Sequence, residues 1–142
     1  MMSAYNQGPP GLGHVGSYQV SGKPFVSGGI DLSVYTSGPL EINFPSVTRW
    51  VLIRNRDNST NNSKSIQVAA SENGFSEGYY FRISDDYTGS GARRNATTPR
   101  MELKLTKLYL TGSSTKVDVI AGLTGISTDT ITNNWSGSIG VG

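Results

Sequence analysis

Residues 40–53 read LEINFPSVTRWVLI, and they decide the fold class. Leu40, Ile42 and Phe44 alternate with Glu41 and Asn43, the two-residue period of a strand with one buried face. Trp50-Val51-Leu52-Ile53 is denser and predicts a central strand covered on both faces, with Trp50 in the core. The same two-fold period recurs on either side. It runs through Ile30, Leu32 and Val34, then Ile66, Val68 and Ala70, then Tyr79, Phe81 and Ile83. It returns in Met101, Leu103 and Leu105 and in Val117, Val119 and Ala121, the last three alternating with Asp118 and Ile120. No i, i+3, i+4, i+7 stripe lasts three turns, so the expected helix content is close to nil.

The breaks between these runs carry turn chemistry: Ser27-Gly28-Gly29, Ser37-Gly38-Pro39, Asn73-Gly74 and Thr111-Gly112-Ser113-Ser114. Two hairpins are predicted. In one, residues 49–56 return as 64–70; in the other, residues 101–110 return as 115–123. About eight strands in this length make an all-β protein, a single antiparallel two-sheet sandwich. The Cys–Trp–Cys arrangement of antibody domains is missing, which favours a jelly-roll-like sandwich over an immunoglobulin-like one.

The 142 residues support one domain. Residues 1–17 hold four Gly and two Pro without any period and read as a flexible arm, leaving 18–142 as the sandwich. Tyr5, Pro9 and Pro10 are the arm's candidates for contact with a partner. This stretch lacks the basic start and apolar run of a secretory signal, and no segment is long and apolar enough for a membrane helix.

The inventory for chemistry is thin. With no Cys, thiolate metal sites and Cys nucleophiles are excluded, and the one His, His14, lies in the arm with nothing to fix it. Asp85-Asp86 supplies too few ligands for calcium and reads as a turn after a strand. Gly11-Leu12-Gly13-His14-Val15-Gly16 matches a dinucleotide fingerprint in letters only, since no strand precedes it and no helix follows. No cofactor, metal or catalytic residue is expected, and the protein reads as a non-enzyme. Charged residues are 15% of the chain against a usual share of about 25%. A net charge of +2 argues against a general nucleic-acid binder.

The longest irregular segment, residues 85–99, holds Arg93 and Arg94, with Arg100 just beyond. Three guanidiniums this close suit phosphate or carboxylates on a partner protein, and the partner-protein contact is the expected one. Tyr35, Tyr80 and Trp135 are among the aromatic residues expected at the surface, where they suit either a glycan or a subunit interface.

Three stretches carry a family likeness: Arg49 to Asn55, Gly78 to Ile83, and Val117 to Ile126. Together with the polar loops they resemble the small all-β virion proteins of tailed bacteriophages, the capsid decoration, cement and head-fibre class. The resemblance spans residues 46–126. It implies a structural role on a virion made in the host cytoplasm, self-association as a trimer, and an arm that grips the major capsid protein. A carbohydrate- or receptor-binding module, such as a fibre tip, is the alternative expectation.

Overall fold

The computed structural model describes residues 22–57, 64–83 and 96–130. Eight strands lie among the described residues: β1 (Lys23–Ile30), β2 (Leu40–Asn43), β3 (Thr48–Asn55), β4 (Ile66–Ala69), β5 (Phe81–Ile83), β6 (Ala96–Thr97), β7 (Lys107–Gly112) and β8 (Val117–Leu123). They form two four-stranded antiparallel sheets, ordered β1-β8-β3-β6 and β2-β7-β4-β5. The expected all-β class, with two antiparallel sheets and eight strands, is present.

The pairing has a simple logic. β1 pairs with β8, β2 with β7, β3 with β6 and β4 with β5. The first four strands run out and the last four run back alongside them, as in one long hairpin. Successive segments of that double ribbon lie in alternate sheets.

One apolar core joins the two sheets. Val51 and Ile53 of β3 and Val117, Val119 and Ala121 of β8 come from one sheet. Ile66, Val68, Leu108 and Leu110 come from the other. Each fully buried Leu, Ile or Val contributes about 1.5–3 kcal/mol relative to exposure. Phe25 of β1 meets Phe44 edge-on, ring centroids 5.1 Å apart, closing the core on the β1 side.

Both predicted hairpins are overturned. β3 and β4 belong to different sheets, and so do β7 and β8. In each case the second strand pairs in the other sheet instead of beside the first. The expected strand at 101–105 is also corrected. Met101 makes one bridge to Val51, and the chain then crosses toward β7. Thr48 holds this crossing: its Oγ1 donates to the Leu103 carbonyl at 2.7 Å and accepts from the Leu105 N–H at 2.9 Å. Leu103 is consequently exposed where strict alternation would bury it.

Smaller corrections have local causes. Ile30 to Val34 is not one strand: Leu32–Val34 form a 3-10 turn, and the Asp31 carboxylate accepts from the Ser33 N–H at 2.9 Å. Ser27-Gly28-Gly29 is a bulge within β1 rather than a turn. Asn73-Gly74 opens a four-residue helix, α1 (Gly74–Glu77), ended by Gly78 at φ +81°.

Candidate interaction face

The two sheets turn very different outer faces to solvent. Along β3 the residues Val51, Ile53 and Asn55 are buried, so Trp50, Leu52 and Arg54 point outward. Register then assembles the face. Leu52 lies opposite Ile120 of β8, and Ile120 lies opposite Val26 of β1, making an apolar row across three strands. Val26 is 67% exposed. The adjoining row is Trp50, Gly122 and Pro24, which places the indole beside a position with no side chain.

The outer face of the other sheet is polar. Glu41, Asn43, Gln67, Arg82, Lys107, Tyr109 and Thr111 occupy outward positions, with Ala69 the apolar exception, in register with Tyr109. Lys107 Nζ lies 2.8 Å from Glu41 Oε1, and this hydrogen bond holds the Glu41 carboxyl below its ordinary range. A sheet packed on only one side carries polar residues on its free face, as this one does. The β1-β8-β3-β6 sheet breaks that rule.

Arginines flank the apolar rows at both ends. At one end, Asp118 Oδ2 accepts from Arg56 Nε at 2.5 Å, while its Oδ1 accepts from Arg56 Nη2 at 3.1 Å and from the Gly29 N–H at 3.0 Å. Arg54 lies opposite Asp118 in register. The Arg56 hydrogen bond is the chief reason the Asp118 carboxyl sits below its ordinary range, with the Gly29 N–H and the charges of Arg56 and Arg54 adding to it. At the other end, Arg100 lies over the Trp50 ring, 6.0 Å from its centroid. Its Nη2 is 2.9 Å from Glu102, which also meets Arg49 at 3.6 Å. Each end thus sets two guanidiniums against one carboxylate.

The Asp118 ties give a pH signature. A carboxyl held low in the fold contributes stability above its ordinary value, near pH 4, and loses it as pH falls through the folded-state value. Asp118→Asn is expected to cost about 1 kcal/mol at neutral pH, because it breaks a charge-assisted tie joining β1, β8 and the end of β3. Urea denaturation at pH 7 and pH 3 checks this: the gap between variant and wild type should shrink at the lower pH.

Of the residues singled out in the sequence for partner contact, Arg100 is placed on this face. Arg93, Arg94, Tyr5, Pro9 and Pro10 lie outside the described residues, as do His14, Asp85, Asp86 and Trp135. Trp50 is corrected from core to outer face, and Leu52 likewise is only half-buried, so β3 is covered on one face and not on two. Val26 and Ile120 were not singled out. Their signal is present nonetheless: Trp50 to Ile53 and Val119 to Gly122 lack polar side chains at both parities, as a strand with two apolar faces requires.

Elsewhere, a groove of ≈ 460 Å³ opens between edge strands β5 and β6, lined by Phe81, Ile83, Pro99 and Met101 with Arg82 at its margin. Among the described residues no three His, Asp or Glu side chains converge as metal ligands. Comparison with family models, with curated proteins and with solved structures finds no match.

Proposed function

We propose that this chain is a non-enzymatic structural protein of a virion surface, a jelly-roll sandwich that assembles as a homotrimer and coats a capsid. The observation that carries this reading is the one-sided surface: an apolar outer face on one sheet and a predominantly polar one on the other. Water penalises contiguous apolar surface, so such a face is a contact surface. The jelly-roll assignment is supported by the nested pairing of β1 with β8 through β4 with β5, which is a long double ribbon rolled into two sheets. Arg100, on the rim of this face, is assigned to partner contact. Residues 1–17, with Arg93 and Arg94, are assigned to the capsid contact.

A second reading, a carbohydrate-binding module, is favoured by the exposed rings of Tyr35 and Tyr80. Sedimentation equilibrium at micromolar concentration tests the first reading. The expected mass is three times the 15.2 kDa of one chain, and the trimer should cosediment with capsids stripped of it. A monomer over that range, or a trimer indifferent to capsids, overturns the proposal. Specific glycan binding by a monomer selects the second reading.

A further inference from the structure

We infer that the apolar outer face of the β1-β8-β3-β6 sheet receives the acidic corner around α1 of a second copy of this chain, in a head-to-tail contact that closes into a ring. The inference rests on the proposed self-association and names the two surfaces that would make it.

The face supplies an apolar centre, Val26, Ile120, Leu52 and Trp50, and a rim of four arginines against two carboxylates. The corner has the opposite character. Glu72 and Glu77 are exposed on either side of the half-buried Phe75, and residues 71–80 contain no Lys or Arg. The Phe75 ring lies 6.0 Å from that of Tyr80, which is 37% exposed, so the corner offers an aromatic pair between two carboxylates. Among the described residues the ion pairs of the protein leave Glu72 and Glu77 unengaged. Arginines meeting carboxylates around an apolar centre are the composition of a specific interface.

Charge also selects the symmetry. Two copies placed face to face would oppose one cationic rim with another, an arrangement that like-charge repulsion disfavours. The corner belongs to the other sheet, because α1 packs on β4. One copy's corner therefore cannot cover its own face, so a contact between the two surfaces joins two copies, and where each copy gives its corner to one neighbour and receives a corner from another the contact is heterologous. Heterologous contacts that close produce cyclic rings, of which a trimer is one.

Charge reversal tests the pairing, with circular dichroism confirming the fold of each variant. Glu72→Arg with Glu77→Arg, and separately Arg49→Glu with Arg100→Glu, should each weaken association by about a hundredfold or more, reading as monomer in sedimentation. All four substitutions in one chain restore complementarity and should return the trimer. If the wild type is trimeric and either pair of substitutions leaves it so, the inferred contact is overturned while self-association stands. If both pairs dissociate the trimer and the fourfold variant stays monomeric, the face–corner pairing is likewise overturned. A monomeric wild type overturns the self-association itself, and this contact with it.

Discussion

Gly112→Ala is expected to destabilise the domain by about 3–5 kcal/mol, the sum of backbone strain and steric overlap. Gly112 ends β7 opposite Ile66 of β4, with φ +145°, a conformation that L side chains rarely adopt. A Cβ at this position would overlap the backbone carbonyl oxygen of Ser65. That same carbonyl accepts the Ser113 N–H at 3.1 Å. Because the obstacle is backbone, no rotamer change relieves it, and β7 would have to part from β4 at the point where the chain leaves that sheet for β8. Gly29→Ala is the comparison. Gly29 is also left-handed, at φ +67°, but a Cβ there meets nothing within 4 Å. It should cost only the conformational part, about 1–2 kcal/mol. Urea denaturation measures both. Equal losses at the two positions would show that close approach to Ser65 is not what requires glycine at 112.

The period of two identified β2, β3, β4 and β8 because it is a local property. Leu40, Ile42 and Phe44 need only their own pleat to declare a buried face, and so do Val117, Val119 and Ala121. Turn chemistry located the breaks at 37–39 and 111–114 for the same reason, though not at 27–29, which lies inside β1. Neither signal says where the chain goes next. Residues 111–114 look like a hairpin loop, but Leu110 pairs with Leu40 and Val68, whereas Val117 pairs with Ile30 and Asn55. Those choices depend on contacts distant in sequence, between residues that carry no mark of one another.

The apolar outer face was hidden in a related way. Trp50 and Leu52 read as core because apolar residues at both parities fit a strand covered twice. That composition also fits a strand with its second face left for a partner, and separating the two requires knowing that no further layer lies outside β3 and β8 in the described chain. Arg100 was singled out as a candidate for partner contact because of its neighbours Arg93 and Arg94. Its position over the Trp50 ring was not legible, since that depends on the Val51–Met101 bridge placing residue 100 beside β3.

Asn55→Ala should be the other severe substitution, costing about 3–5 kcal/mol, because it strands several buried polar groups at once. Asn55 is fully buried. Its Nδ2 donates to the Lys64 carbonyl at 2.7 Å, and its Oδ1 accepts from the Asp57 N–H at 3.1 Å and the Ser114 hydroxyl at 2.8 Å. The Asp57 N–H can only donate, which fixes the orientation of the amide. Asp57 extends the network: its Oδ2 accepts from both the N–H and the hydroxyl of Thr115, each at 2.8 Å. One amide thus ties together the end of β3, the approach to β4 and the connection from β7 to β8. These are the places where the chain changes sheets, so the network supports the crossings that replace the two expected hairpins. Asn55→Asp keeps the shape but loses the donor to Lys64 and adds a carboxylate near Asp57, so it should not rescue stability. A double-mutant cycle with Ser114→Ala separates this network from simple loss of packing. Coupled losses, with the double variant less destabilised than the sum, are expected for one network. Additive losses would mean that Asn55 fills space beside Ser114 without the two hydrogen bonding as a unit.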